Sequence, residues 1–376
     1  MGVRVSQTTS ERSAPRLASL DVMRGIAVAG MILVNNPGSW DDGYAFLAHA
    51  PWNGWTLADL VFPFFLVIVG VSLDLSLSRR SSGRSALLPA LVRRAALLCA
   101  LGILLNTFPD LSQLGSVRWF GVLQRIGLCT LAVGTLLLTT GARTQLAVAV
   151  ALLAGYWLAM TTVPVPGYGA GVLTPEGNLG AWLDVRWFGG HLYREGFDPE
   201  GLLSTLPAVA TTLIGALAGR FLRGGRRGHE KTIGLIGAGM ALALAGEIAG
   251  WWFPINKQLW TSSYVLLTGG LGLATLGVCY ELIDRRGWRL GTRPFLMLGS
   301  NALAVYLLSS LGARLMEICQ ISAGESCESL RRFLYEQLFQ PWAGAETGSL
   351  CFAVAYLLVW LIPTAELHRR RVFLKI

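Results

Sequence analysis

The chain has 376 residues, of which 53% are hydrophobic and only 14% charged. An ordinary soluble domain carries nearly twice that charged fraction, so a soluble globular protein is excluded. The net charge of +9 does not mark a nucleic-acid binder, because the cations are sorted into alternate loops rather than gathered on one segment.

Residues 1–17, with Arg4, Arg12 and Arg16, read as a tail ahead of the first apolar run. Apolar runs of the length needed to cross a bilayer recur at 18–36, 57–77, 87–106, 121–140, 145–163, 203–222, 232–253, 260–281, 294–316 and 347–365. They predict an all-α, polytopic membrane helix bundle of about ten transmembrane helices, with membrane lipid as its surroundings. The first run is interrupted by Asp21 and Arg24 and lacks a small-x-small cleavage site, so it is read as a span and not a cleaved signal. Arg79, Arg80, Arg84, Arg93 and Arg94 surround the second-to-third junction, and Arg143 follows the fourth run. Arg220, Arg223, Arg226, Arg227 and Lys231 follow the sixth, and Arg285, Arg286, Arg289 and Arg293 the eighth. A basic tail, 367–376, closes the chain with Arg369, Arg370, Arg371 and Lys375. By the positive-inside rule these loops are cytoplasmic, so both termini are expected in the cytoplasm and the span count is even. The opposite loops are acidic and aromatic, and His49 falls among them.

Polar groups at the membrane boundary carry the candidate chemistry, since charge inside a bilayer is costly and usually functional. Asp21 and Arg24 lie one helical turn apart at the cytoplasmic start of the first span. They form either a structural ion pair or an anion clamp suited to the phosphates of a nucleotide-like cofactor. Asn35 and Asn36 end that span as helix caps, or as groups that orient an imidazole or donate to an oxyanion. The run His49-Ala50-Pro51-Trp52-Asn53-Gly54-Trp55-Thr56-Leu57-Ala58-Asp59 then leads a polar, aromatic loop into the second span. Imidazole is the side chain that moves protons most readily near neutral pH, so His49 is the candidate base. Asp59 either serves the helix N-terminus or orients His49 and holds a substrate amine or hydroxyl.

Arg118, Trp119, Gln124 and Arg125 gather at the outer start of the fourth span. Arg118 and Arg125 run against the charge rule, and either bind a substrate or cofactor anion or pair with outer-loop acids. The loop 164–201 is long and aromatic, which predicts an ordered, packed segment. Gly215 and Gly219 form a GxxxG spacing that fits close helix packing. Asn256, Lys257 and Trp260 lie in a second polar, aromatic outer segment, and Asn301 inside the ninth span needs a buried partner. The loop 318–346 is expected to hold an amphipathic helix with Leu330, Phe333, Leu334 and Leu338, and Cys319 and Cys327 share that loop, where a disulfide is permitted. No spacing of Cys and His fits a metal site, so none is expected.

The assembled pattern resembles the heparan-α-glucosaminide N-acetyltransferase family of membrane acetyltransferases, including its bacterial relatives. The resemblance runs from about Arg16 to Ile376 and rests on ordered motifs. These are Ser19-Leu20-Asp21 with Arg24-Gly25, Val34-Asn35, His49-Ala50-Pro51-Trp52-Asn53-Gly54, Asp59-Leu60-Val61-Phe62-Pro63 and Gly121-Val122-Leu123-Gln124-Arg125. They continue through Val165-Pro166-Gly167-Tyr168-Gly169, Phe197-Asp198-Pro199-Glu200-Gly201, Pro254-Ile255-Asn256-Lys257 with Leu259-Trp260-Thr261 and Ser263-Tyr264, and Lys375-Ile376. The Leu-Asp and Arg-Gly element also resembles the broader membrane acyltransferases that modify envelope sugars. The resemblance implies one transmembrane acyltransferase domain over 18–366, which moves acetyl from cytoplasmic acetyl-CoA to an amino sugar on the opposite face. The amino sugar would be of glucosamine or N-acetylglucosamine type. It implies catalysis by His49 with Asn35 nearby, a homodimer, and, because lysosomal members carry an extra N-terminal luminal region, a bacterial inner-membrane setting.

On that reading His49 is either a general base for direct transfer or a nucleophile that is itself acetylated. Asn35 would donate to the thioester oxyanion. The cofactor side would use Arg24 with Asp21, and Arg118, Gln124 and Arg125, with Arg93 or Arg94 as weaker candidates. The sugar would be held by Trp52, Asn53, Asp59, Asn256, Lys257 and Asn301. Two other readings remain open from the residues: a secondary transporter of a sugar or small anion, and an envelope scaffold that has lost catalysis.

Overall fold

The computed structural model describes residues 17–79, 84–110, 115–323 and 326–373. Among these, nine helices are long and apolar enough to cross a membrane, and one bent pair makes up to ten. In chain order they are α1 (Ala18–Asn35), α2 (Val61–Ser78) entered through a 3-10 turn (Leu57–Leu60), α3 (Arg84–Thr107), α4 (Val122–Thr139) and α5 (Ala142–Thr162). A short α6 (Leu179–Phe188) precedes α7 (Leu202–Arg223), α8 (Gly228–Ala249) and α9 (Ser262–Cys279), which runs on into a π turn (Tyr280–Arg285). Next come α10 (Thr292–Ser300), α11 (Ala302–Ile318), a hairpin of β1 (Gln320–Ala323) and β2 (Ser326–Ser329), α12 (Leu330–Leu338), α13 (Gln340–Ala343) and α14 (Ala345–Arg369). The protein is a polytopic helical membrane protein.

Burial sorts the helices into two layers. Within their most apolar stretches α1 and α7 are 67% and 72% buried, whereas α5 and α14 are 22% buried and expose apolar side chains such as Leu158 and Leu358. The inner layer packs backbone to backbone, which small residues permit where lipid supplies no hydrophobic drive. A Cβ on Gly215 of α7 would lie 2.1 Å from the Val67 carbonyl oxygen of α2, and one on Gly70 would lie 2.0 Å from that of Thr212. The GxxxG spacing at Gly215 and Gly219 thus faces α2. At the opposite edge, Gly25 of α1 and Gly299 of α10 meet in the same way, each with a Cβ position 1.9 Å from a carbonyl oxygen of the other helix.

Two expectations need correction, and a third is met with an added feature. The ninth span is not straight: α10 and α11 are bent by 85°. Asn301 leaves the helical region, at φ −123° and ψ 31°, and its N–H closes a turn onto Leu298. The close approach of Gly299 to α1 fixes α10 in place, so the bend falls at Asn301. The expected amphipathic helix is α12, but its buried side chains are Arg331 and Tyr335, while Leu338 is exposed. Leu330, Phe333 and Leu334 are half-buried, so Arg331 and Tyr335 turn inward beside part of the apolar stripe. Cys319 and Cys327 are free and exposed. The hairpin register separates them, because Cys327 pairs with Ser322 and the Cys319 carbonyl accepts from Leu330 N.

The long loop 164–201 is ordered as expected. Val165, Leu179, Ala181 and Phe197 form a small core with Tyr156 and Met160 of α5 and with Phe253 and Leu259. The Asn178 side chain caps α6 by accepting from Ala181 N at 2.8 Å.

Candidate active site at the His49 end of the bundle

The start of α2 places Asp59. Thr56 and Asp59 form a capping box across the 3-10 turn, with Asp59 Oδ2 accepting from Thr56 N at 3.0 Å and from Ala50 N at 3.1 Å. The other oxygen, Oδ1, accepts from His49 Nδ1 at 2.7 Å. One carboxylate therefore caps the helix and orients the imidazole. The Asp59 side chain is 1% exposed, whereas that of His49 is 43% exposed. A bond from Nδ1 to a carboxylate fixes the tautomer and leaves the Nε2 lone pair for chemistry. Tyr264 Oη supports the turn from below by donating to the Asp59 carbonyl at 2.5 Å.

Lys257 completes the cluster from the loop between α8 and α9. Its Nζ lies 3.2 Å from Asp59 Oδ1, and 2.9 Å and 3.1 Å from His49 Nδ1 and Nε2. Burial pushes the ammonium pKa below the ordinary lysine value, against the pull of Asp59. Asn256 holds this loop: its Oδ1 accepts from Leu259 N at 2.8 Å and its Nδ2 donates to Asn53 Oδ1 at 3.2 Å. Gln258 donates to the Pro51 carbonyl, and Gly54 N to that of Ile255, so the 49–56 and 254–261 loops are laced together. Trp260 adopts φ 54°, a backbone conformation that costs energy in a bulky residue. Its indole is 1% exposed, packed on Phe62 and Tyr264, with Nε1 donating to Thr211 Oγ1.

The other candidate residues divide. Trp52 donates to the Leu173 carbonyl at 2.9 Å and packs edge-on against Phe197, which ties it to the long loop. Arg118 pairs with both oxygens of Asp198, at 2.8 and 2.6 Å, and with Glu200. Burial works against this charge, but the two carboxylates outweigh it and push the guanidinium pKa up. Pairing with loop acids is thus the arrangement Arg118 adopts. Arg125 is buried, donates to the Pro199 carbonyl at 2.9 Å and Ser204 Oγ at 2.5 Å, and lies 5.0 Å over the Trp260 ring. Gln124 is buried against Gly102 of α3. Asn36 caps α1 by donating to the Ile32 carbonyl, while Asn35 is exposed into a cavity of ≈ 300 Å³. A smaller cavity, ≈ 200 Å³, lies between Pro51, Trp52, Glu176, Arg194 and Gln258.

Three candidates sit away from His49. Arg24, with Asp21 at 2.9 Å, also donates to Ser72 Oγ at 2.9 Å and to the Gly299 carbonyl, at the opposite end of α1. Asn301, two residues beyond Gly299, shares that region, and the fold does not bring it to the histidine. Sequence reasoning missed Arg314, Glu317 and Arg331, which line the larger cavity with Asn35. Arg314 carried a signal, as a cation inside an apolar run of spanning length. Arg331 carried none, because on a short helix it reads as part of a solvated face. Among the described residues no cluster of three or more His, Cys, Asp or Glu is arranged to hold a metal ion.

Fold and site together define a polytopic membrane protein with an imidazole–carboxylate–ammonium cluster at one boundary of its helical bundle. The sequence model described as heparan-alpha-glucosaminide N-acetyltransferase, catalytic, matches residues 16–253, and the chain belongs to this family. Human heparan-alpha-glucosaminide N-acetyltransferase is 32% identical over 354 residues, covering 78% of this chain and 52% of the human protein. The mouse protein of the same name is 32% identical over 362 residues, covering 80% and 54%. The chain spans about half the length of these curated relatives.

Proposed function

We propose that the protein transfers an acetyl group from acetyl-CoA to the amine of a glucosamine-type sugar held at the His49 end. The observation that carries this reading is the 2.7 Å bond from His49 Nδ1 to the buried Asp59, on a histidine whose side chain is half open. The names of the relatives supply the acceptor class, an α-glucosaminide, and the group transferred to nitrogen.

His49 Nε2 accepts the proton as the amine nitrogen attacks the thioester carbonyl. The C–N bond forms, the C–S bond breaks, and the imidazolium returns its proton to the departing thiolate. Asn35 would stabilise the intermediate oxyanion from the cavity side. A second branch acetylates Nε2 first and passes the group on. Lys257 balances the Asp59 charge and stands beside Nε2. When protonated it donates to the lone pair that the reaction needs, so its lowered pKa favours the active form. Trp52, Asn53 and Asn256 shape the wall against the sugar.

The phosphates of CoA would lie at the Arg24 end, with the pantetheine arm reaching along the bundle to His49. The sorting of cations supports placing that end in the cytoplasm, with the acceptor on the opposite face; a bacterial inner membrane is part of the same proposal. A homodimer is part of the same proposal, read by mass photometry in nanodiscs.

The test incubates protein in lipid nanodiscs with radiolabelled acetyl-CoA and a panel of amino sugars, wild type beside His49→Ala. Label reaching a sugar only with His49 present is the expected result. Equal transfer by folded His49→Ala, or none by folded wild type with any amino sugar, overturns the reading.

A further inference from the structure

Acetylation removes two protons from a basic amine. Such an amine is largely protonated near neutral pH, and an ammonium has no lone pair with which to attack. In the balanced step R–NH3+ and acetyl–S–CoA give R–NH–acetyl, HS–CoA and one H+. His49 Nε2 handles one of the two protons, which it takes during attack and returns to the thiolate. The other must leave the ammonium first and end in water, so the site needs a second proton acceptor beside Nε2.

Among the described residues, the ionisable groups around the imidazole leave one candidate. Asp59 is already engaged by Ala50 N, Thr56 N and His49 Nδ1. Glu200 is paired with Arg118. Lys257 Nζ lies 3.1 Å from Nε2, so a nitrogen docked against the imidazole also meets the lysine. The loop holds it there. The Lys257 carbonyl accepts from Trp260 N at 3.0 Å, Asn256 N donates to Thr261 Oγ1 at 3.0 Å, and Thr261 N donates back to the Asn256 carbonyl. The Lys257 side chain is 21% exposed, which gives a proton a way out to water.

We propose that Lys257 is a second base of the reaction, which takes the first proton from the acceptor ammonium and passes it to water before His49 takes the second. One N–H bond of the acceptor breaks as one forms on Nζ, and water then receives that proton. Asp59 Oδ1, 3.2 Å from Nζ, stabilises the charged lysine in passing. The groups facing Nζ are His49, Asp59 and Glu200, and the two carboxylates favour its charged form. Burial outweighs them and pushes the ammonium pKa below the ordinary lysine value, which supplies the neutral amine the step requires. The inference rests on the acetyl-transfer reading and adds to it a second base.

The experiment compares two acceptors in nanodiscs near neutral pH: glucosamine, and its 2-hydroxyamino analogue, whose weakly basic nitrogen carries no extra proton there. Lys257→Met keeps the side-chain length without a base, and Lys257→Arg keeps a charge that is never lost. Each should lower kcat with glucosamine by about 10²-fold and lower it far less with the analogue, with the Kd for acetyl-CoA unchanged. Raising the pH, which supplies glucosamine already deprotonated, should narrow the gap between wild type and both variants. Equal losses on both acceptors, constant across pH, overturn the proposal in favour of a lysine that only binds or braces the loop. Unchanged kcat with glucosamine in folded variants overturns it outright. Thermal unfolding checks the fold, and if Lys257→Met does not fold, Lys257→Arg decides alone. Failure of the proposal leaves wild-type transfer and its loss in His49→Ala in place, whereas wild type that acetylates neither acceptor overturns the acetyl-transfer reading and the second base with it.

Discussion

Near Arg24, charge is paired within the fold: Arg24 with Asp21 and Ser72, Arg223 with Asp74, and Asp284 accepting from the first N–H groups of α1. Near His49, polar groups also converge from segments far apart in sequence, but some are left open: the imidazole is 43% exposed, Asn35 faces a cavity, and among the described residues Arg314 pairs with no carboxylate and the Arg331 Nε has no hydrogen-bond partner. Both ends carry charge at a membrane boundary. The difference teaches that charge in a bilayer marks a site when the fold leaves it a remaining partner to find, whereas charge paired within the fold serves the helix ends.

The comparison breaks most sharply at Asp59. Asp59→Asn should lower acetyl transfer by about 10²–10⁴-fold, because the amide cannot fix the His49 tautomer in the same way. Single-turnover rates in folded protein check it, and an unchanged rate would demote the cluster to a helix cap. Next in size is Arg118→Gln, which strands Asp198 and Glu200 and should destabilise by about 3–5 kcal/mol, read by thermal unfolding in detergent. The Lys257 substitution acts on pH. Its lowered pKa places an alkaline rise in kcat below the ordinary lysine value of 10.5; Lys257→Arg stays charged and should lose that rise in a pH–rate profile.

Asp184, which accepts from Leu202 N at the start of α7, has a pKa pushed by burial up to about 7. A folded-state pKa above the ordinary 3.8 means that this group's contribution to stability is greatest at low pH and is lost as pH rises through about 7. Asp184→Asn should flatten that fall in unfolding scans between about pH 4 and 7. The smallest stability effect belongs to Arg24→Gln, about 1 kcal/mol. The same variant should raise KM for acetyl-CoA if CoA phosphates bind there, and an unchanged KM would leave Arg24 a structural residue alone.

The sequence reveals the helices because spanning length and cation sorting are local properties. It also reveals the His49–Asp59 pair, ten residues apart on one loop and turn. Lys257 reads as a hydrogen-bonding residue of a distant loop, and only the lacing of Gln258 to Pro51 and Asn256 to Asn53 brings it to the imidazole. The bend at Asn301 escapes an average over twenty apolar residues, because it depends on the contact of Gly299 with α1. Arg331 escapes because apolar periodicity assigns the burial face of α12 to its leucines, whereas tertiary packing buries the arginine and Tyr335.

The most direct test of the account seals the protein in proteoliposomes, with labelled acetyl-CoA on the side facing the Arg24 end and glucosamine on the other. The account predicts acetylated sugar on the far side with wild type and none with His49→Ala. Unmodified glucosamine crossing without acetyl-CoA, or equal acetylation by the His49→Ala protein, would contradict it.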